Sequence, residues 1–251
     1  MQRQDQGTER PRHAAVGATR PRSWRWLRRR AGYVLRTEGL RSLARKAVAR
    51  CLYGRVIVLE LDLVGWRREI SATVPLEVSE LDSESLAAYL QARPDLEAAD
   101  VSRRLADGHR CFVTWTNERI SSAVWFGTGT MRITEIRSSI DLDPGQVYAY
   151  DSWTSPEIRG HNVAGARGVT TCETLRDAGF RGMVAYVLAG NKAGLRPPAK
   201  LGFRRMGTVG SIRLGVLRLD FTAKDGARAE WRINRPQHAW AELSDATSGS
   251  G

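Results

Sequence analysis

Apolar residues are arranged in two different patterns along this chain, and these patterns predict its secondary structure. Short apolar runs between turn residues are typical of strands, whereas apolar residues that recur every three or four positions are typical of helices. Between Val147 and Gly207 the apolar runs VYAY and MVAYVLA alternate with two helix-length segments, which end at Gly179 and Gly202. A Pro-containing turn follows the first run. This stretch therefore predicts a strand, a loop, a helix, a second strand and a second helix.

The same pattern predicts further strands on both sides of this stretch. They lie at residues 55–63, 111–115, 120–126, 131–137 and 211–221. Two of them, 111–115 and 120–126, flank a short polar turn and therefore predict a β-hairpin. A single βα crossover among otherwise antiparallel strands predicts a mixed α/β (α+β) fold class.

Two helices are predicted before the hairpin. The first ends near Leu90, with Asp82 or Ser83 as its N-cap, because their side chains can accept a hydrogen bond from a free helix N–H group. The second covers residues 96–106 and is closed by Gly108, since glycine readily adopts the left-handed conformation that ends a helix.

Positive charge is concentrated at the N-terminus and divides the chain into predicted segments. The net charge is +12, and the first 50 residues hold 14 Lys and Arg against 3 Asp and Glu. Residues 1–22 lack a hydrophobic period and predict a disordered basic tail. Residues 23–53 show helical spacing among arginines and predict an amphipathic basic arm. The main folded domain is predicted at 54–221, with a C-terminal extension and flexible tail at 222–251.

The basic arm has three candidate partners. Its apolar side can dock on the body of the protein and leave its arginines in water. It can also bind an anionic membrane surface, with Trp24 and Trp26 as interfacial anchors. Nucleic acid is disfavoured because no base-stacking aromatics are interleaved with the charges.

The three cysteines favour a reducing compartment. Cys51, Cys111 and Cys172 are far apart and show neither a disulfide framework nor the ligand spacing of a metal site. No stretch is long and apolar enough to span a membrane, and the first 22 residues lack the apolar region of a secretory signal. We therefore predict a cytoplasmic protein, and the arm leaves a peripheral position at the inner face of a membrane as an open alternative.

The segment TSPEIRGHNVA, from Thr154 to Ala164, resembles the acetyl-CoA motif of the GNAT N-acetyltransferase superfamily. That motif has the form Arg/Gln-x-x-Gly-x-Gly/Ala after a strand and a Pro-containing turn. Arg159 matches its first position, and Asn162 stands where the family has a glycine. The later segments NKA (191–193) and KLGF (200–203) look like the family's second conserved stretch.

This resemblance implies a GNAT fold that binds acetyl-CoA or another acyl-CoA. A helix N-terminus offers free N–H groups and a positive dipole end to the pyrophosphate, and Asn tolerates the left-handed conformation of the glycine it replaces. By resemblance, the strand end at Trp153 and Thr154 diverges from Val187 and Leu188 and pairs with pantetheine. The implied cofactor-binding residues are Trp153, Thr154, Arg159, Gly160, His161, Asn162, Val163, Ala164 and Asn191.

The resemblance also implies an activity, the transfer of an acyl group directly from acyl-CoA to a small-molecule or peptide amine. Many members use a Tyr as thiolate acid where this chain has Pro198, and others a Glu base where it has Gln146. Asp151 and Asn191 are therefore the predicted catalytic residues, and Glu135 and His161 are further candidates. Two alternatives stay open: a non-catalytic acyl-CoA-binding module, or a membrane-peripheral acyltransferase of glycan or cell-surface assembly.

Overall fold

The computed structural model describes residues 53–136, 138–214, 217–224 and 232–234. In chain order the elements are β1 (Tyr53–Asp62), β2 (Glu77–Glu80), α1 (Leu86–Ala92), α2 (Ala98–Ala106), β3 (Arg110–Thr116), β4 (Arg119–Gly127), β5 (Thr130–Ile133), β6 (Ser138–Asp141), β7 (Gln146–Thr154), a 3-10 turn (Pro156–Ile158), α3 (Val163–Asp177), β8 (Gly182–Leu188), α4 (Lys192–Leu201), β9 (Arg204–Leu214), β10 (Leu217–Lys224) and β11 (Arg232–Asn234). The predicted basic tail and arm lie outside the described residues, except that Tyr53 already belongs to β1. The predicted flexible C-terminal tail also lies outside them.

Eight strands form one large sheet in the order β10-β9-β1-β8-β7-β4-β3-β2. Neighbouring strands are antiparallel at every junction except β7–β8, which is parallel. The crossover between β7 and β8 contains α3, as a parallel connection requires. The mixed α/β class predicted from the sequence is confirmed.

Helices α3 and α4 cover one face of this sheet, which we call the helix face. Leu175 of α3 and Leu201 of α4 pack there in one apolar cluster with Val124, Val147 and Met183 of the strands. Burial of such side chains contributes about 1.5–3 kcal/mol each relative to exposure. The helix face therefore fixes where the start of α3 lies relative to the ends of β7 and β8.

A pair of helices and a small sheet cover the other side of the large sheet, which we call the opposite face. Helices α1 and α2 pack on β3 and β4 through Tyr89 and Val101, around the buried Trp125. The Trp125 indole N–H donates to the Tyr89 hydroxyl at 2.8 Å. A small sheet, β11-β6-β5, lies over the central strands, and its Ile140 packs with Tyr148 of β7. The opposite face is therefore covered in two places, by α1 and α2 over β3 and β4 and by the small sheet over the central strands.

The structure corrects two details of the predicted elements. The single closing strand at 211–221 is in fact the two halves of a hairpin, because Leu214 pairs with Leu217 and Gly210 with Phe221. Period-two alternation continues through both halves, so the pattern alone does not reveal the reversal. The C-terminal extension also contributes strands, since β11 pairs with β6.

The predicted N-cap of α1 is also displaced. The helix begins at Leu86, and Ser85 occupies the cap position. The Asp82 carboxylate instead accepts hydrogen bonds from the Ser85 N–H at 2.8 Å and its hydroxyl at 2.6 Å. These bonds lower the pKa of Asp82, the side-chain bond most. Asp82 therefore stabilises the turn before the helix.

Two further features of the described residues bear on function. Cys111 and Cys172 are buried free thiols, and burial raises the pKa of each to about 12. Neither thiol is therefore a ready nucleophile near neutral pH. No helix within these ranges is long and apolar enough to cross a membrane.

Gly54 allows the connection between β5 and β6 to lie directly on β1. A Cβ at this position would lie 2.5 Å from the Glu135 carbonyl oxygen, which is backbone and cannot rotate away. We expect Gly54→Ala to lower the free energy of unfolding by about 1–3 kcal/mol, measured by urea denaturation. Gly190→Ala is the control, because a Cβ there meets nothing within 4 Å. Equal stability of the two variants would contradict this packing.

Candidate functional site

Strands β7 and β8 pair along only part of their length. Their parallel ladder joins residues 146–149 to residues 182–185, although β7 continues to Thr154 and β8 to Leu188. Beyond the ladder β7 follows β4, with Thr154 opposite Ser122, and β8 follows β1, with Leu188 opposite Val56. A gap therefore opens between the two strand ends, at the place the family resemblance implies.

A β-bulge in β7 lies where the gap begins. Tyr150 pairs with Trp125 and Trp153 with Ala123, so two β7 residues, Asp151 and Ser152, face one residue of β4. Asp151 has a φ of +48°, in the left-handed region that non-glycine residues rarely adopt. A bulge of this kind bends the strand that carries it. The bulge therefore directs β7 away from β8.

Asp151 is held by two guanidinium groups on the opposite face. Arg93 donates to its Oδ1 at 3.2 Å and Arg104 to its Oδ2 at 2.9 Å. Arg93 also donates to Asp95 at 2.9 Å, and both side chains are almost fully buried. Burial alone would lower the pKa of Arg93 and of Arg104, but the neighbouring carboxylates, Asp151 first, raise both above their usual value.

These contacts favour a structural role for Asp151, which the sequence predicts as a catalytic residue. Both of its oxygens accept guanidinium hydrogen bonds, so taking a proton from an amine would weaken two ion pairs. The same ion pairs hold its unfavourable backbone conformation in place. The predicted base thus acts in the structure as the anchor of the bulge.

The loop after β7 leaves backbone donors free at the start of α3. Gly160 has a φ of +91° and Asn162 a φ of +59°. The N–H groups of Gly160, Asn162, Val163 and Ala164 have no acceptor among the described residues. Because the Asn162 side chain makes no capping hydrogen bond, the helix N-terminus is open to an anion.

Side chains from distant segments hold this loop. Asn162 donates to the Ser71 carbonyl at 2.7 Å and accepts from the Lys200 ammonium at 2.8 Å. His161 Nδ1 bonds the Thr73 hydroxyl at 2.8 Å. Arg159 Nε donates to the Thr154 carbonyl at 3.2 Å, and its exposed guanidinium has no other partner in the described part of the chain. Lys200 thus adds a positive charge that the sequence analysis did not place in the site.

Asn191 caps the second helix of the motif. Its Oδ1 accepts from the Gly194 N–H at 3.0 Å, and its own N–H donates to the Leu188 carbonyl at 2.8 Å. A Cβ at Gly194 would lie 3.2 Å from Val187, so the first turn of α4 contacts β8 beside the gap. Asn191 therefore positions α4 at the edge of the gap, whatever it contacts in a ligand.

Gln146, at the position of the family's Glu base, lies at the other end of β7. It is the first residue of the β7–β8 ladder, and its amide donates to Glu60 at 3.3 Å. It lines a cavity of about 240 Å³ together with Asp143, Arg181 and Arg204. The identity of this residue therefore does not bear on the chemistry of the gap.

Tyrosines and a carboxylate lie beside the gap on the opposite face. Tyr150 and Tyr186 each stack on Tyr148, with ring centroids 6.2 and 5.9 Å apart. The Tyr186 hydroxyl donates a short hydrogen bond to Glu135, and the buried Tyr148 hydroxyl has no partner among the described residues. Burial, followed by the Glu135 charge, raises the pKa of Tyr186 well above its usual value. Tyr186 therefore stays protonated and acts as the hydrogen-bond donor to Glu135.

The described residues contain no group of three or more His, Cys, Asp or Glu side chains that could hold a metal ion. The polar groups at the gap are instead carboxylate, guanidinium, ammonium and hydroxyl groups together with free backbone N–H groups.

Comparisons with known proteins give similarity in structure only. No protein-family model matches the chain, and no curated protein does. A functionally unknown conserved protein from Staphylococcus epidermidis is 11% identical with a TM-score of 0.42, over 67% of this chain and 65% of that one. An acetyltransferase of the GNAT family from Novosphingobium aromaticivorans is 10% identical with a TM-score of 0.44, over 64% and 63%. This chain thus spans less than two thirds of the length of either.

Solved structures of GNAT acetyltransferases recur among the matches. An aminoglycoside N-acetyltransferase in complex with CoA is 17% identical with a TM-score of 0.42, over 51% of this chain and 91% of that one. At these identities and TM-scores, function has to be argued from the residues of this chain.

The anchoring role of Asp151 predicts a loss of stability on its removal. Asp151→Asn leaves two largely buried guanidiniums without one of their carboxylates, and we expect it to lower the free energy of unfolding by about 3 kcal/mol. Chemical denaturation measures this loss. Asp143→Asn is the matched control, because Asp143 is exposed. If Asp151→Asn left stability unchanged, the carboxylate would not be the anchor of the bulge.

Proposed function

We propose that this chain is an N-acyltransferase of the GNAT type, which transfers the acyl group of acetyl-CoA or another acyl-CoA directly to an amine. The observation that carries the proposal is the gap between β7 and β8, which opens at a bulge and leads into a loop with free N–H groups. In one short segment the chain thus combines two strand ends that no longer pair with each other with an anion site. A ligand that joins an extended, amide-containing arm to a pyrophosphate fits both.

The loop fits the pyrophosphate of coenzyme A. Four N–H groups, at residues 160, 162, 163 and 164, have no acceptor in the described part of the chain and lie at the start of α3, whose dipole favours negative charge. Arg159 adds a guanidinium suited to phosphate oxygens, and Lys200 adds an ammonium through Asn162. A Cβ at Gly160 would meet nothing within 4 Å, so the space beside the loop is open.

The gap fits the pantetheine arm. Trp153 and Thr154 on one side, and Val187 and Leu188 on the other, lie beyond the last residues that pair the two strands. An extended ligand with amide groups can pair with such edges as an added strand would. The cofactor-binding residues predicted from the sequence keep this role in the proposal, with Asn191 positioning α4 beside the arm.

Glu135 is the residue we assign to the acceptor amine. It lies on the opposite face beside the gap, and one of its oxygens accepts from the Tyr186 hydroxyl. Its second oxygen has no bond within the described ranges and can take the proton that an attacking amine loses. Acyl-CoA supplies the activated acyl group, and the chain supplies orientation and proton acceptance. The acceptor is a small-molecule or peptide amine.

A non-catalytic acyl-CoA-binding module is the second candidate, and Pro198 favours it. Pro198 replaces the Tyr that many GNAT enzymes use as an acid, and Pro197 and Pro198 lie inside α4. A module of this kind would bind acyl-CoA and release no thiol. Release of CoA thiol in the presence of an amine therefore separates the two candidates.

Binding of CoA to the full chain tests the anion site. We expect calorimetry to detect binding to the wild type, and Arg159→Glu to weaken it at least about tenfold, which corresponds to about 1.4 kcal/mol. The reversed charge would repel phosphate at the helix N-terminus. Arg119→Glu, at an exposed position of the β3–β4 hairpin, is the matched control and is expected to bind as the wild type does. Absence of binding to the wild type would refute the proposal.

Thiol release tests the assignment of Glu135. With acetyl-CoA and a panel of primary amines, we expect the wild type to release CoA thiol. Glu135→Gln is expected to lower kcat by about 10²–10⁴-fold, the usual contribution of a general base. Glu118→Gln, in the exposed hairpin turn, is the control. No thiol release with any amine would favour the binding module, and an unchanged kcat in Glu135→Gln would remove the base role.

A further inference from the structure

Arg167 of α3 is a buried cation with an unusual set of partners. Only 3% of the residue is exposed. One Nη donates to the Ser122 hydroxyl and, at 3.2 Å, to the Trp153 carbonyl, while the other donates to the Ser152 hydroxyl at 2.9 Å. Its Nε has no partner among the described residues. Every partner that it has is a neutral oxygen.

Buried charges are normally paired with an opposite charge, because desolvation costs several kcal/mol per ion. Asp95 and Asp151 accept hydrogen bonds from Arg93 and Arg104 on the opposite face. Within the described ranges no carboxylate forms an ion pair with Arg167. Burial lowers the pKa of Arg167 to about 10, and so the group remains charged at neutral pH.

Ser152 links the buried Arg167 to the bulge at which the gap begins. It is the second residue of the bulge, and its side chain is exposed. Its contact with α3 places it on the helix face, the face on which α4 contacts Val187 across the gap. The hydroxyl accepts from Arg167 and donates to no acceptor among the described residues, so its own hydrogen is available to a ligand. A hydroxyl that accepts from a cation is a stronger donor than an isolated one.

We propose that Ser152, polarised by Arg167, donates the hydrogen bond that stabilises the departing thiolate of the acyl donor. This inference rests on the proposed function and deepens it. In this proposal Ser152 is the catalytic residue, since its hydroxyl would contact the sulfur, and Arg167 is a positioning residue that acts through it. The pair takes the place of the Tyr acid that Pro198 replaces.

The chemistry requires a stabilised sulfur anion and no strong acid. The amine nitrogen forms a bond to the acyl carbon and loses one proton to Glu135. The carbon–sulfur bond breaks, and its electron pair stays on sulfur. A thiol has a pKa of about 8.5, so a thiolate can leave near neutral pH if its charge is stabilised, and water protonates it after release. A preorganised donor in a site of low dielectric supplies this stabilisation.

The pKa of the CoA thiol bound to the full chain tests the proposal. It is measured from thiolate ultraviolet absorbance as a function of pH, with the desulfo-CoA complex subtracted. We expect binding to lower the thiol pKa by about one unit from its usual value of about 8.5. Ser152→Ala is expected to reverse most of this shift, and Ser152→Thr, which keeps a hydroxyl, to preserve it. Ser102→Ala, on the exposed side of α2, is the matched control.

Variants of Arg167 distinguish polarisation of the Ser152 hydroxyl from a purely structural role of Arg167. Arg167→Met is expected to lose the thiol pKa shift without a loss of thermal stability, because it removes an uncompensated buried charge. Arg167→Lys is expected to restore part of the shift. In turnover, Ser152→Ala should lower kcat by about 10²-fold and leave the KM for acyl-CoA within about twofold.

The outcomes distinguish this inference from the proposed function. If the wild type binds CoA but the thiol pKa is unshifted, or if Ser152→Ala keeps the shift, the inference is overturned and the proposed function stands. If Arg167→Met keeps the shift, Arg167 does not act through Ser152. If CoA does not bind to the wild type, both are overturned.

Discussion

The ion pairs between Asp151 and two arginines are the interaction on which the arrangement of the site depends. They hold a non-glycine residue at a φ of +48° in the middle of a strand. That conformation is part of the bulge, and the bulge lies where β7 stops pairing with β8 while it remains paired with β4. The helices on the opposite face supply both guanidiniums, Arg93 just after α1 and Arg104 within α2. Packing on one face of the sheet thus opens a gap in its plane.

Charge is distributed unequally across the two faces at this gap. On the opposite face Asp151 and Asp95 accompany Arg93 and Arg104, and Glu135 adds a further carboxylate beside the tyrosines. On the helix face no carboxylate of the described residues pairs with Arg167, and the loop at the edge of this face carries Arg159 and Lys200. The proposed acyl-CoA donor on the helix face and amine on the opposite face match this polarity, because the donor carries phosphates and the amine gives up a proton.

Local patterns predict the elements well because helices, strands and turns depend on neighbours in the chain. The order strand, loop, helix, strand, helix around Asn162 follows from short apolar runs and glycine positions, and the structure confirms it. The predicted left-handed tolerance of Asn162 also agrees with its φ of +59°. Reversals of chain direction are harder to predict, since apolar and polar residues alternate in the same way in one long strand and in the hairpin β9–β10. The N-cap of α1 lies at Ser85 and not at the predicted Asp82 or Ser83 for a similar reason, because Asp and Ser side chains suit a turn as well as a cap.

The sequence by itself determined the fold class and the order of strand, loop, helix, strand and helix around Asn162. Tertiary structure decided what the charged side chains do. Asp151 meets Arg93 across 58 positions, Arg167 meets Ser122 across 45, and Lys200 meets Asn162 across 38. A carboxylate is a base when it is free and an anchor when two guanidiniums bind it, and a guanidinium is a solvated charge or a buried one according to what covers it. Those surroundings exist only once the sheet and helices have packed, so the roles proposed for Asp151, Arg167 and Ser152 depend on the folded chain.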